Sequence, residues 1–273
     1  MCRWLAYSGA PIYLEEVIVK PEHSLIDQSL SSHSGATTTN GDGFGIGWYG
    51  QREIPGVYKT VRPAWNDANL AALAGQIKSN LFIAHVRATT GTAVEHSNCH
   101  PFQFENWIFV HNGAVREFDR IKRELTFAVS PELYPFIHGS TDTEIMFFLA
   151  LTFGMRDDVQ QGVARMVGFI EKVGRDNGVE FPVQMTLGIS DGQSVYAFRY
   201  STEGDTRTLY HSIDMAALHE VAPESRRFSA DTRAIVSEPL GQHAEGWTLV
   251  PESSFLSVSG GEVCCVDFRP ETG

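Results

Sequence analysis

The sequence lacks the features of several large classes of protein. Its 273 residues contain no apolar run of the roughly 18 residues that span a bilayer. The N-terminus also lacks the basic segment and following apolar segment of a secretory signal. Lys and Arg total 21 against 33 Asp and Glu, and the net charge of -12 argues against a surface for nucleic acid or anionic lipid. We therefore expect a globular, cytoplasmic protein that binds neither nucleic acid nor membrane.

Cysteine is also scarce. The chain has four cysteines, at positions 2, 99, 264 and 265, which are too few for a disulfide scaffold in a protein of this length. The Cys-x-x-Cys spacing typical of structural zinc sites is absent. His96, Cys99 and His100 do cluster in the sequence, but we do not expect them to hold a metal. We expect reduced thiols, no bound metal and no cofactor.

The hydrophobic pattern predicts strands, then helices, then strands again. Hydrophobic residues make up 42% of the chain, which is enough for a sizeable core, and no linker or repeat divides it. Strands are expected at 2–8, 57–61, 81–87, 107–110, 183–189, 194–200, 208–211, 234–237, 253–258 and 262–266. Helices are expected at 66–78, 116–127, 145–153 and 157–177. This pattern indicates one α+β domain over residues 1–273.

A glycine-rich stretch at 40–50 has glycine at every second position from Gly41 to Gly47. A dinucleotide-binding loop needs a different spacing and leads from a strand into a helix. A period of two is that of a strand, so the glycines are expected to line one face. That face would allow another backbone or a ligand to approach closely.

Cys2 directly follows Met1, at the start of the first predicted strand. If Met1 is removed, Cys2 carries both a thiol and a free α-amine, whose ordinary pKa of about 8 lets it act as a base. Such a residue is a nucleophile with its own general base. The alternative is an inert buried thiol, since free cysteine is among the most buried residue types.

Arg87 ends the apolar run 81–87. Burying an unpaired guanidinium is costly, so Arg87 is expected to meet a carboxylate. The carboxylate can belong either to the protein, as a structural ion pair, or to a ligand.

A second apolar run, 107–110, is followed by His111, Asn112 and Gly113. The Asn112 side-chain amide and the Gly113 N–H are adjacent donors that could converge on one oxygen, as an oxyanion hole requires. The alternative is a tight turn, for which Asn-Gly is a common dipeptide.

Asp142 lies at the start of the helix predicted before the apolar run 145–153. Ser140 or Thr141 provides an N-cap, which places Asp142 in the first helical turn. A carboxylate there is favoured by the helix dipole whether or not it has a functional role. The nearly continuous apolar sequence of the helix predicts that it is buried and that its polar start lies beside the core.

These segments, in this order, resemble the class II glutamine amidotransferase domain of the N-terminal-nucleophile hydrolases. The resemblance rests on Cys2, on His85-Val86-Arg87, on His111-Asn112-Gly113 and on the segment 140–144. The opening Met-Cys-Arg-Trp-Leu and the strand 42–48 are similar to a small stand-alone branch, which includes a γ-glutamyl amidohydrolase of ergothioneine biosynthesis. The resemblance implies a four-layer αββα sandwich.

The resemblance also implies roles for five residues. Cys2 attacks the side-chain amide of glutamine, while Asn112 and Gly113 hold the oxyanion. Arg87 pairs with the substrate α-carboxylate and Asp142 with its α-ammonium. The segment 87–91 is one residue shorter than the usual family form, so both Thr89 and Thr90 stay open as substrate contacts.

The implied activity is that of a glutamine or γ-glutamyl amide amidohydrolase that releases ammonia and glutamate through a γ-glutamyl thioester. No acceptor module is recognisable after residue 150, so ammonia either passes to a separate synthase subunit or is simply released. The alternatives are a γ-glutamyl hydrolase acting on a small-molecule conjugate, and a catalytically silent domain that binds glutamine.

Overall fold

A computed structural model of the chain describes residues 2–30, 39–89, 91–221 and 223–271. The strands are β1 (Arg3–Tyr13), β2 (Phe44–Trp48), β3 (Gly56–Thr60), β4 (Lys78–Val86), β5 (Phe102–Phe104), β6 (Trp107–Val115), β7 (Val183–Ser190), β8 (Val195–Ser201), β9 (Tyr210–Ser212), β10 (Arg233–Val236), β11 (Trp247–Leu249), β12 (Ser254–Ser259) and β13 (Glu262–Asp267). The α-helices are α1 (Glu15–Ile18), α2 (Leu25–Leu30), α3 (Ala68–Ala74), α4 (Phe118–Phe127), α5 (Asp142–Thr152), α6 (Val159–Asp176) and α7 (Met215–Val221). No helix within these ranges has the length and apolar character needed to cross a membrane.

The strands form two antiparallel sheets. The first sheet has the order β11-β9-β10-β1-β4-β2-β3, and the second has the order β13-β12-β8-β7-β6-β5. Strands β1 and β4, which carry two of the predicted site residues at or beside their ends, are direct neighbours in the first sheet, with Arg3 opposite Val86.

Three apolar clusters define the layers. The cluster between the sheets joins Trp4 of the first sheet to Val110 of the second. Helices α4, α5 and α6 pack on the outer face of the second sheet, where Phe109 stacks on Phe147 with ring centroids 5.1 Å apart. Helices α1, α2 and α3 cover the outer face of the first sheet through residues such as Ile18. The predicted αββα sandwich is therefore confirmed.

Helix α5 is buried on all sides, as its sequence predicts. Every residue from Thr143 to Leu151 is buried. The helix lies within the largest apolar cluster, so its polar first turn is held against the core.

The first strand is longer than predicted. The sequence predicts a strand at 2–8, before Gly9 and Pro11, but β1 runs from Arg3 to Tyr13. The register with β4 is interrupted between Ser8 and Ile12. Proline and glycine are accommodated in that irregular stretch, where no ladder hydrogen bond is required of them.

The prediction that a strand ends before His111 is also wrong. Strand β6 continues to Val115, and the triplet 111–113 lies within it, opposite residues 185–187 of β7. Pairing along the whole length of β7 outweighs the turn preference of Asn-Gly. Arg116 extends the pairing with β7 by one more hydrogen bond, from its N–H to the Pro182 carbonyl at 2.8 Å. The helix predicted at 116–127 therefore begins only at Phe118.

The glycine face of β2 is covered by another part of the backbone. A Cβ atom at Gly45 would lie 1.9 Å from the carbonyl oxygen of His100. A Cβ at Gly47 would lie 3.2 Å from the Pro101 ring. The prediction of a close approach at this face is confirmed: the backbone of His100 approaches Gly45, and the side chains of Pro101 and Ile108 approach Gly47.

Candidate active site

One cavity of about 590 Å³ lies where the ends of β1 and β4 meet β6 and the start of α5. This volume falls within the range of about 300–1,000 Å³ typical of small-molecule sites. The residues of interest in its lining are Cys2, Arg87, Gly113 and Asp142. The structure therefore brings four of the five predicted site residues to one cavity. The fifth, Asn112, is buried beside it and is not part of the lining.

The Cys2 thiol is held by the backbone of a single residue. Its Sγ lies 3.4 Å from the N–H and 3.5 Å from the carbonyl oxygen of Ala88, which follows β4. Cys2 is half-buried. Burial raises the pKa of the thiol above its ordinary value, while the hydrogen bond with Ala88 and the charge of Arg87 oppose that shift. Met1 lies outside the described residues.

Arg87 is almost completely buried and has neutral partners. Its guanidinium donates to Thr92 Oγ1 at 2.7 Å and to the Ala93 carbonyl at 3.1 Å. Across the part of the chain that the structure describes, no carboxylate forms an ion pair with it. A guanidinium has further N–H groups and cannot be deprotonated in a protein. Arg87 is therefore a buried positive charge at the cavity wall without a protein counter-ion in the described residues.

The backbone of Arg87 is fixed on both sides. Its N–H donates to the Gly43 carbonyl at 2.8 Å, and its own carbonyl accepts from the Asp42 N–H at 3.1 Å. The Asp42 carboxylate accepts the Thr89 N–H at 2.8 Å. This arrangement holds the start of the segment after β4 beside Cys2. Thr89 and Thr92 line the cavity, whereas Thr90 lies outside the described residues.

Asp142 is the first residue of α5, as predicted. Thr141 is the N-cap, because its side chain accepts the Glu144 N–H at 3.3 Å. The Asp142 carboxylate accepts the Val115 N–H and the Thr143 N–H, each at 2.7 Å. These two bonds join the end of β6 to the start of α5. The carboxylate is half-exposed at the cavity and has lone pairs for a further cationic partner.

Asn112 and Gly113 have different surroundings because successive side chains in a strand point to opposite faces. Gly113 lies on the cavity face, and a Cβ there would come within 1.9 Å of the Gln184 carbonyl oxygen. Asn112 lies on the other face, opposite Thr186, whose hydroxyl donates to the Asn112 carbonyl at 3.3 Å and accepts from Trp4 Nε1 at 3.0 Å. Trp4 and Val110 belong to the apolar cluster between the sheets, so Asn112, two residues after Val110 in β6, faces the same layer.

His111 is a further residue of the cavity. Its Nδ1 lies 3.0 Å from Thr143 Oγ1, and its Nε2 lies 3.3 Å from the Gln184 carbonyl, which requires the proton on Nε2. Burial lowers the pKa of His111, and the charge of Asp142 opposes this shift. His111 therefore links β6, β7 and α5 as a neutral imidazole.

Two more buried histidines lie at this cavity: His100 is part of its lining, and His85 packs against His100. His85 and His100 stack with ring centroids 4.0 Å apart, and His85 Nε2 lies 3.2 Å from the His111 carbonyl. Burial lowers the pKa of His85 to about 3 and holds that of His100 well below its ordinary value. The sequence analysis assigned no role in the cavity to His85, His100 or His111. Their positions beside Arg87, Cys99 and Asn112 in the sequence were the available signal.

Comparisons with known proteins all indicate the same family. The family model for class-II glutamine amidotransferases matches residues 16–272. The probable glutamine amidotransferase DUG3 of Saccharomyces cerevisiae is 33% identical over 94% of this chain and 82% of the relative. The γ-glutamyl-hercynylcysteine sulfoxide hydrolase of Mycolicibacterium smegmatis is 26% identical over 96% of this chain and 98% of the relative. The solved structure of a glutamine aminotransferase class-II domain protein from Silicibacter pomeroyi has a TM-score of 0.75 and 32% identity, and covers 98% of this chain and 100% of its own.

Proposed function

The chain belongs to the class II glutamine amidotransferases, and we propose that it hydrolyses the γ-amide of glutamine or of a γ-glutamyl conjugate with Cys2 as the nucleophile. The observation that carries the proposal is the position of the Cys2 thiol in one cavity with Arg87 and Asp142. A nucleophile is there combined with one positive and one negative group. These are the charges that the α-carboxylate and α-ammonium of a γ-glutamyl group need.

The nucleophile in this proposal is Cys2 after removal of Met1. The freed α-amine takes the thiol proton while Sγ forms a bond to the amide carbon of the substrate. A local base is needed because burial raises the thiol pKa and leaves little thiolate at neutral pH. The amine then returns the proton to the leaving nitrogen as the C–N bond breaks. Water hydrolyses the γ-glutamyl thioester to glutamate.

The oxyanion formed at each tetrahedral step is assigned to the Asn112 side-chain amide and the Gly113 N–H. Both groups belong to β6, which is paired with β7 along its length and tied to α5 by the bond from Val115 to Asp142. Donors held rigidly in this way do not have to move when negative charge develops on the substrate oxygen.

Recognition of the γ-glutamyl head is assigned to Arg87 and Asp142. The three neutral histidines do not compete with Arg87 for the substrate carboxylate, because burial keeps their pKa values below the ordinary value. A buried guanidinium beside a carboxylate gives a strong, charge-assisted interaction.

The leaving group is either ammonia or a larger amine. The cavity extends beyond Gly113 and Asp142 to the segment Arg116–Arg120 at the start of α4, which favours a substrate larger than glutamine. The printed name of the Mycolicibacterium smegmatis relative describes a γ-glutamyl conjugate as its substrate, which supports the same choice. Delivery of ammonia to a separate synthase subunit is the second candidate, and the family membership supports it.

The test is hydrolysis of glutamine and of γ-glutamyl-p-nitroanilide by the purified protein, with intact mass recorded to establish whether Met1 is removed. Cys2→Ala should abolish both activities and should also abolish labelling by diazo-oxo-norleucine. Cys264→Ala, which changes an exposed thiol, is the matched control and should behave as the wild type. Normal turnover by Cys2→Ala would refute the proposal.

A further inference from the structure

The two sheets have four edges, and three of them are protected against pairing with another strand. Strands β5 and β11 are only three residues long. Strand β3 has five residues, all partly covered, and it contains Lys59. Short strands and edge lysines are devices by which proteins prevent strand pairing between molecules.

The fourth edge, β13, has none of these protections. It is six residues long, has the sequence Glu-Val-Cys-Cys-Val-Asp, and contains no lysine, proline or glycine. All of its residues are exposed except Val263, which is partly exposed. Val266 alone exposes 42% of its surface.

The two cysteines of β13 are unusual because they are exposed to solvent. Cys264 and Cys265 are both free and exposed, whereas Cys99 is buried and Cys2 half-buried. Free cysteine is normally among the most buried residue types. The exposed thiols therefore coincide with the unprotected edge, and one contact that covers this strand explains both observations.

The hydrogen bonds of the hairpin show which backbone groups of β13 point outward. The two-residue turn at 260–261 makes its flanking residues a hydrogen-bonded pair, and bonded residues then alternate along the strand. Phe268, an even-numbered residue just beyond β13, donates its N–H to the Ser253 carbonyl at 2.7 Å. Even-numbered residues thus bond toward β12. The residues whose backbone groups point away from the sheet are Val263, Cys265 and Asp267.

We propose that β13 is an interface at which a second copy of this chain adds its own β13 in antiparallel pairing, so that two six-stranded sheets form one. A two-fold axis centred on Cys264 or on Cys265 pairs the outward-facing backbone groups of the two copies with each other. In each register the cysteine on the axis lies opposite the same cysteine of the second copy. Such an interface is self-complementary and closed.

The charge pattern of β13 favours its own copy as the partner. The two acidic residues lie at the ends of the strand, and the four central residues are uncharged. With the axis at Cys264, Glu262 faces the Val266 position and Asp267 faces the Gly261 position of the second copy. With the axis at Cys265, Asp267 faces the Val263 position. Neither register places acid opposite acid, although the chain as a whole carries a net charge of -12.

The test is sedimentation of the full chain under reducing conditions, with two substitutions at one position. Cys265→Pro removes an outward N–H and leaves the bonds to β12 in place, so it should halve the sedimenting mass from that of a dimer to that of a monomer. Cys265→Ser keeps the N–H and should stay dimeric. A wild type that is monomeric at every concentration, or a proline variant as dimeric as the wild type, would overturn the proposal.

Two further measurements keep the test decisive. If circular dichroism shows that Cys265→Pro does not fold, Val263→Lys replaces it, because an edge lysine opposes strand pairing without changing the backbone; it should be monomeric. A bismaleimide of short span should give a covalent dimer of the wild type and none of the Cys264→Ser/Cys265→Ser double variant. A wild-type dimer that the reagent does not join would place the interface elsewhere and refute the role of β13.

Discussion

Gly45 and His100 are in backbone contact so close that no side chain fits between them. A Cβ at Gly45 would lie 1.9 Å from the His100 carbonyl oxygen and 3.2 Å from the Lys59 side chain. This contact holds the segment around His100 against β2, with the His100 ring stacked on His85. The glycine period of the strand thus allows the close packing of His100, which lines the candidate active-site cavity.

Replacing Gly45 by alanine is therefore expected to destabilise the fold. The added methyl group meets backbone, which cannot rotate away, so the free energy of unfolding should fall by about 3 kcal/mol. Urea denaturation measures this change. Gly50→Ala is the matched control, since no atom lies within 4 Å of its Cβ position, and it should change the stability little. Equal stability of the two variants would contradict the contact.

Replacing Asn112 by alanine should reduce kcat with little change in KM. In the proposed mechanism the amide donates to an oxygen that becomes an anion only during reaction, and loss of one such donor typically costs about 10²–10³ in rate. Steady-state kinetics on γ-glutamyl-p-nitroanilide measure the effect. Asn69→Ala, an exposed change on α3, should leave both constants unchanged. A rise in KM alone would show that Asn112 binds the ground state instead.

Replacing Arg87 by glutamine should weaken binding of the γ-glutamyl head. Loss of a buried partner of a carboxylate costs about 2–5 kcal/mol, so KM should rise by roughly 30-fold or more. The control is on the substrate, because γ-aminobutyramide lacks the α-carboxylate assigned to Arg87 and keeps the amine that corresponds to the α-ammonium. Wild type and variant should hydrolyse that amide equally slowly. A variant that loses activity on it to the same extent as on glutamine would have lost its structure and not its carboxylate contact.

Stability should fall in mild acid because His85 is buried in the neutral form. Its pKa is about 3 in the folded protein against an ordinary value of 6.5, so below pH 6.5 the unfolded state binds a proton that the folded state does not. The free energy of unfolding should therefore decrease by about 1.4 kcal/mol for each pH unit between 6.5 and 3 on account of this residue. His85→Gln should make the pH dependence shallower, whereas His96→Gln, at an exposed position, should not. Denaturation midpoints between pH 7 and 4 measure both slopes.

The sequence was informative where a residue type was out of place. A guanidinium at the end of an apolar strand, an acid at the start of an apolar helix and a cysteine behind the initiator each required an explanation. The cavity brings Arg87, Asp142 and Cys2 together. Local patterns also predicted most helices and strands, because apolar periodicity reflects burial directly.

The sequence was misleading where pairing between distant segments overrides local preference. Pairing with β7 keeps the Asn112-Gly113 dipeptide in a strand, and an irregular register with β4 accommodates Pro11 within β1. The packing of His100 could not be predicted from its neighbours in the sequence, since its carbonyl packs against Gly45, which lies far away along the chain. No local signal encodes such a contact.

The double attachment of Asp142 bears on how relatives of this protein are interpreted. Its carboxylate holds the Val115 and Thr143 N–H groups, so it stabilises the junction of β6 and α5 whether or not a substrate binds. A descendant that had lost its chemistry would still need this aspartate to keep its shape. Among the described residues the Cys2 thiol has hydrogen bonds with the backbone of Ala88 alone, so this side chain is free to change once catalysis is no longer required. In a relative that has lost its catalytic activity, we expect residue 2 to be substituted and the aspartate at position 142 to be kept.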